Sequence, residues 1–197
     1  LFLLLRFYSP SAFALEKTPS FALITQEVKD AKTLMKAGSF EKSLVKSRLA
    51  LRHAIAIKDD NLIASSYHTI AANFDQLSEY EKAFYYYNKG LIYANKTNND
   101  ILKNWIYNNL GNIYCFDKKQ YEKGIFYYKK SLAYSKKIND PSQVVFTKLN
   151  IAWAYFDIGQ FEKGYPYLKY INLKFTWKRW DRYCVSFMKT SKVSKLK

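Results

Sequence analysis

The residue types that most often carry acid-base, nucleophilic or metal chemistry are few and far apart in this chain of 197 residues. Its histidines are His53 and His68, and its cysteines are Cys115 and Cys184. A zinc site takes about four Cys or His ligands at short spacings, and a lone helical histidine is seldom a general base. No glycine-rich phosphate loop, nucleophile elbow or paired-histidine motif occurs. We therefore expect no enzymatic activity, cofactor, metal site or small-molecule substrate.

A Glu-Lys pair preceded by an aromatic residue and followed by a small residue occurs four times. The aromatic residues are Phe40, Tyr80, Tyr121 and Phe161, and only the interval from Tyr80 to Tyr121 is longer than the others, by a single residue. The small residues are Ser43, Ala83, Gly124 and Gly164. Such a period indicates a repeated structural unit rather than a reactive group. Because Glu is favourable near the N-terminus of a helix, we expect each pair to open one.

The residues between these pairs have helical periodicity. Apolar or small residues recur at i, i+3, i+4 and i+7, as in Tyr67, Ile70, Ala71 and Phe74 or Tyr107, Leu110, Gly111 and Tyr114. A second stripe follows each aromatic start, as in Tyr121, Gly124, Tyr128 and Ser131. Large residues alternate with small ones, so two helices can approach closely. Each unit is therefore predicted to be a helical hairpin.

The stretch "NWIYNNLGNIYCFDKKQYEKGIFYYKKSLAYSKK" (104–137) resembles the tetratricopeptide repeat family. The resemblance implies an all-α fold, an α-solenoid of about four antiparallel hairpins wound into a right-handed superhelix. The units are expected at about 26–60, 61–99, 100–140 and 141–173. Their period of about 40 residues is longer than the commonest 34 and is similar to repeats of bacterial regulators.

The two ends of the chain do not follow the repeat. Residues 1–14 have an apolar start and an Ala-Phe-Ala ending, which predicts the remnant of a secretory signal peptide, followed by a linker at 15–25. An exported protein, periplasmic or membrane-associated, is therefore expected, with a buried N-terminal helix and a cytoplasmic protein as the alternative. Residues 174–197 are interpreted as a basic tail or capping helix.

The net charge of +16 is partly concentrated in that tail. Residues 174–197 contain eight Lys or Arg and one Asp, and Trp177 and Trp180 lie among them. Aromatic residues interleaved with cations are typical of single-strand nucleic-acid binders and of anionic membrane surfaces. We favour a solvated end, leave peripheral membrane contact open and consider nucleic-acid binding the least supported. Elsewhere, A/T-rich codons would explain the excess of lysine.

The resemblance also implies a concave groove lined by the first helix of each hairpin, where a peptide or helix of a partner protein would bind. The groove residues so implied are His68, Asp75, Trp105, Asn108, Asn112, Trp153 and Phe156, with Ser65, Ala72, Gln76, Cys115, Phe116, Phe146 and Leu149 beside them. The tryptophans would act as apolar anchors, and the paired amides of Asn108 and Asn112 would hold a peptide backbone. Alternatively, these aromatic residues are covered by the next repeat or by the C-terminal segment.

Three functional hypotheses follow. The first is a non-catalytic scaffold for protein-protein interaction. The second is that the chain is the truncated sensory portion of a larger, membrane-bound bacterial regulator. Binding of a polyanion through the tail is a third, weaker hypothesis.

Overall fold

The computed structural model describes residues 18–174, with side chains as far as Lys169. In this range the chain is helical and contains no strand. The helices are α1 (Phe21–Lys36), α2 (Phe40–Ala56), α3 (Asp60–Gln76), α4 (Tyr80–Ala94), α5 (Asp100–Asn112), α6 (Tyr121–Lys137), α7 (Pro141–Asp157) and α8 (Phe161–Lys174). The predicted signal-peptide remnant at 1–14 lies outside the described residues, as does the basic tail beyond Lys174.

Consecutive helices pair into four hairpins within the described residues: α1 with α2, α3 with α4, α5 with α6, and α7 with α8. The aromatic residue before each Glu-Lys pair is the first residue of the second helix of its hairpin. The prediction that each pair opens a helix is therefore confirmed. We call α1, α3, α5 and α7 the first helices, and α2, α4, α6 and α8 the second helices.

The first helices begin with side-chain caps. Ser20, Asp59, Asn99 and Asp140 each accept a hydrogen bond from the backbone N–H three residues later, over 3.2, 2.8, 2.9 and 3.0 Å. Such a cap satisfies a backbone donor that the first helical turn leaves unpaired. The Ser20 cap starts α1 at Phe21, so helix occupies the end of the segment that the sequence predicted as linker.

The longer interval between Tyr80 and Tyr121 has a local cause. Helix α5 continues directly into a π-helical turn at Ile113–Asp117, where the hydrogen bonds close wider rings than in an α-helix. The segment from the start of α5 to the start of α6 is one residue longer than the segment from the start of α3 to the start of α4. The π-helical turn thus accommodates the additional residue while the hairpin keeps the packing of its neighbours.

Close approach of the two helices in a hairpin depends on the small residues of the repeat. A Cβ atom added to Gly111 would lie 2.5 Å from the ring of Tyr128, and one added to Gly124 would lie 2.1 Å from Cys115 Sγ. Tyr128 is fully buried against this glycine surface. The predicted alternation of large and small residues is therefore the packing that joins α5 to α6.

The first helices lie on the inner side of the solenoid. Helix α1 contacts α3 as well as its own partner α2, and α3 contacts α5. Among the described residues, the second helices show no comparable contact between α2 and α4 or between α4 and α6. The surface across the first helices is therefore the inner face, as expected for a curved repeat array.

Candidate partner-binding face

The inner face collects the predicted groove residues from three consecutive first helices. Helix α3 carries His68 and Asp75, α5 carries Trp105, Asn108 and Asn112, and α7 carries Trp153 and Phe156. Contacts between side chains of neighbouring first helices make this face continuous. The role of these residues in binding stays a prediction, but their positions differ in exposure and in hydrogen bonding.

Trp105 is the central aromatic side chain of the face and is 37% exposed. Its ring lies 5.8 Å from the ring of His68, on the neighbouring helix. Lys32 of α1 reaches across to place its Nζ 5.5 Å from the centroid of the Trp105 ring. A cation at this distance is attracted to the face of the indole ring, so Lys32 helps to orient Trp105.

His68 is buried beneath this aromatic surface rather than exposed on it. Burial and the nearby Lys32 ammonium lower the pKa of His68 to about 3. The side chain is therefore neutral at physiological pH. Asn109 Nδ2 lies 3.5 Å from His68 Nε2, while Nδ1 is buried without a hydrogen-bond partner in the described chain.

Asp75 belongs to a polar group that links three helices. Asn109 Nδ2 donates to the Tyr87 hydroxyl over 2.9 Å. Burial raises the pKa of Asp75, and a hydrogen bond with Tyr87 opposes part of that rise. Burial also raises the pKa of Tyr87 well above its ordinary value. The group joins α3, α4 and α5 below the face, and Asp75 is half-buried within it.

The two asparagines expected to hold a peptide backbone have their side-chain oxygens already bonded. Asn108 Oδ1 accepts a hydrogen bond from Asn150 Nδ2 over 3.1 Å. Asn112 Oδ1 accepts one from the hydroxyl of Tyr128 over 2.8 Å. These bonds fix both amides, and their NH₂ groups are the part that can donate to a ligand carbonyl.

The last hairpin contributes one exposed and one buried aromatic ring. Trp153 is 37% exposed, and its ring meets that of Phe156 edge-on at 6.0 Å. Phe156 is buried against Phe161, and a Cβ atom on Gly164 would lie 2.4 Å from its ring. Phe156 therefore supports Trp153 from within the hairpin, because the neighbouring glycine admits its ring. It does not present a free surface.

The two residues of the π-helical turn that the sequence predicted near the groove, Cys115 and Phe116, differ in exposure. Cys115 is buried inside its hairpin, facing Gly124, and burial raises the pKa of its thiol to about 11. Such a thiol is protonated and a poor nucleophile at neutral pH. Phe116 is exposed.

Sequence reasoning missed three residues that shape the face: Lys32, Asn109 and Asn150. Lys32 occupies the position of the first hairpin that is equivalent to Ala72, so applying the groove positions to that hairpin would have found it. Only the contacts with Tyr87 and His68 identify Asn109. Only the contact with Asn108 identifies Asn150.

Two other kinds of feature are absent from the described residues. There, no three His, Cys, Asp or Glu side chains gather as a metal-binding group. No helix in the same range is both long and apolar enough to cross a membrane.

Comparison with known proteins supports the fold and the repeat. The family model for the tetratricopeptide repeat matches residues 106–138, the third hairpin. No curated protein sequence matches the chain significantly. The match and the helical hairpins together confirm the predicted resemblance and the predicted fold class: the described chain is an all-α, tetratricopeptide-type solenoid.

Several solved structures have the same architecture. BtubC (BKLC) from P. vanneervenii is similar with a TM-score of 0.66 at 22% identity, over 74% of this chain and 59% of that chain. Nearly identical TPR-like repeats from Podosopora anserina have a TM-score of 0.62 at 13% identity, over 81% of this chain and 77% of that one. Aspartyl phosphate phosphatase F from Bacillus subtilis has a TM-score of 0.58 at 16% identity, over 77% of this chain and 48% of that one. The chain thus spans less than two thirds of the first and third of these proteins, and the likeness concerns the fold.

Proposed function

We propose that this protein is a non-catalytic scaffold whose inner face binds a segment of a partner protein. The observation that carries the proposal is the pair of half-exposed tryptophans on that face, Trp105 and Trp153. Aromatic side chains of this size dominate the free energy of many protein interfaces. Helical repeat folds of this type are typical protein-interaction scaffolds.

The arrangement of the inner face restricts the direction in which a ligand can bind and the groups that it must carry. Trp105 and Trp153 belong to neighbouring hairpins, so a ligand that contacts both must run across the first helices. Asn108 and Asn112 lie on α5 with their NH₂ groups available as donors. A peptide segment with two apolar side chains and accessible backbone carbonyls meets both requirements. It would be an extended strand or the end of a helix.

Crosslinking can identify the partner. A photo-reactive amino acid at Ala72, on the inner helix α3, is expected to crosslink one protein segment in extracts of the native organism. The same amino acid at Ala133, exposed on the second helix α6, is the position control. Equal crosslinking of the same segment from both positions would contradict the proposal.

Binding of the identified segment, as a synthetic peptide, can then be measured by calorimetric titration. Trp105→Ala and Trp153→Ala are each expected to raise Kd at least tenfold, about 1.4 kcal/mol, because each removes a large apolar contact. Tyr85→Ala removes an exposed ring from a second helix and is expected to leave Kd unchanged. Unchanged binding by both tryptophan variants, with helicity retained by circular dichroism, would exclude this face as the binding site.

The second candidate function is that of the sensory portion of a larger regulator. It is favoured by the similarity to aspartyl phosphate phosphatase F, of which this chain covers 48%. If it is correct, genomic DNA on either side of the coding segment is expected to encode further aromatic-Glu-Lys units, a membrane helix or an output domain in frame. Clean start and stop codons around the segment would exclude it.

A further inference from the structure

The positive charge of the solenoid is concentrated on its second helices. Up to Lys169, these helices carry thirteen Lys or Arg and four Glu. The first helices, with the π-helical turn, carry five Lys or Arg and seven Asp or Glu. The outer side of the array is therefore strongly basic, whereas the inner face is close to neutral.

Exposed apolar residues lie among these charges. On α4, Tyr85, Lys89 and Ile92 follow one another at helical spacing, opposite the buried Ala83, Tyr87 and Gly90. The rings of Tyr85 and Phe126 are 54% and 55% exposed, and Val45 at the equivalent position of α2 is 69% exposed. We call Val45, Tyr85, Lys89, Ile92, Phe126 and Lys130 the outer stripe.

The outer stripe repeats with the period of the fold. Phe126 and Lys130 follow Tyr85 and Lys89 by the same interval that separates the starts of α4 and α6. Lys89 Nζ lies 5.5 Å from the centroid of the Tyr85 ring, and Lys130 Nζ lies 5.6 Å from that of Phe126. The second and third repeats thus each present a ring and a cation side by side.

Carboxylates next to the outer stripe do not neutralise it. Glu81 lies one turn before Tyr85 and pairs with Lys118 over 2.6 Å. Glu122 lies one turn before Phe126, next to Lys123. Neither Lys89 nor Lys130 forms a salt bridge with an acidic group in the described chain. The charge of both lysines is therefore available to an external anion.

From this combination we propose that the outer stripe docks the protein on an anionic phospholipid surface. Tyr side chains lie at the headgroup level of a bilayer, Phe side chains insert at the boundary between headgroups and acyl chains, and a lysine near an anionic surface is attracted to it. The exposed aliphatic residues Val45 and Ile92 favour lipid over nucleic acid, because they have apolar surface but no π face for a base to stack on. A second copy of the chain is disfavoured, since it would oppose like charges. This surface is separate from the inner face.

Flotation of the full chain with lipid vesicles tests the proposal. The protein is expected to bind vesicles of equimolar phosphatidylcholine and phosphatidylglycerol, and not vesicles of phosphatidylcholine alone. Lys89→Gln with Lys130→Gln is expected to lower the partition coefficient about 25-fold, since each lysine near an anionic surface contributes about a fivefold effect. Tyr85→Ala with Phe126→Ala is expected to lower it about tenfold through the loss of buried apolar area.

The matched control is Lys29→Gln with Lys36→Gln, which makes the same change in net charge on the exposed surface of a first helix. It is expected to change the partition coefficient less than about twofold. Equal losses of the partition coefficient in both lysine pairs would show attraction by net charge alone and would overturn the proposal.

Undiminished vesicle binding by the outer-stripe variants would also overturn the proposal and would assign the binding to another segment. Retention of the protein on single-stranded DNA, without binding to vesicles, would show that the outer stripe binds nucleic acid and not lipid.

Discussion

Replacing Tyr128 with Ala is expected to lower the free energy of unfolding by about 4 kcal/mol, the size found when a buried aromatic ring is removed from a core. Tyr128 is fully buried, and its ring covers the surface of Gly111 on the facing helix. Alanine would leave a cavity between α5 and α6, because the helices already touch at their small residues and cannot close further. Chemical denaturation followed by circular dichroism measures the effect.

Two variants on the same helix separate the effect of the buried ring from the effects of its hydroxyl and of an exposed ring. Tyr128→Phe keeps the ring and removes only the hydroxyl that donates to Asn112, so a loss of about 1 kcal/mol is expected. Phe126→Ala removes an exposed ring two residues earlier and is expected to change stability by less than about 0.5 kcal/mol. If Tyr128→Ala were no more destabilising than Phe126→Ala, the result would contradict the close packing of Tyr128 between α5 and α6.

Acidification is expected to destabilise the protein through His68. The pKa of His68 is about 3 in the folded chain, against an ordinary value of 6.5. As the pH falls, the unfolded chain therefore binds this proton first, and the free energy of unfolding decreases between these two values. The contribution of His68 is fully present above about pH 6.5, and about 3 kcal/mol of it is lost by about pH 4.

The sequence itself supplies the matched variant for this experiment. Leu149 occupies the position of the fourth hairpin that is equivalent to His68, so His68→Leu places a side chain that the repeat already accepts there. The variant is expected to lose about 3 kcal/mol less stability than the wild type between about pH 7 and about pH 4. Asp75, whose raised pKa acts in the opposite direction, is present in both proteins and cancels in the comparison. Equal pH dependence of the two proteins would show that His68 is accessible to protons in the folded state.

Much of the fold was predictable because the same local pattern recurs. The four aromatic-Glu-Lys units marked the starts of the second helices, and the small residues after them marked the close contacts. Both depend on helical periodicity and on side-chain volume, which are local properties of the sequence. The start of α1 was less predictable, because one hydrogen bond from Leu23 to Ser20 extends the helix into a segment without a repeat signature.

The candidate site was predictable only as a set of helix positions. The repeat pattern indicated that Trp105, Trp153 and Phe156 lie near the inner face, but not which rings are exposed. Tertiary packing decided this, because Gly164 admits the ring of Phe156 into the hairpin while Trp153 stays at the surface. The contact of Lys32 with Trp105 joins the first hairpin to the third, so no local pattern contains it.

The sequence by itself thus determined the architecture: four hairpins, their period and the residues that face their cores. The tertiary structure decided the environment of each functional side chain. It buried His68 beside Lys32 and Trp105, and it fixed the amides of Asn108 and Asn112 through Asn150 and Tyr128. The physical reason is that helical periodicity is local, whereas burial, pKa and hydrogen bonding at the inner face arise where separate helices meet.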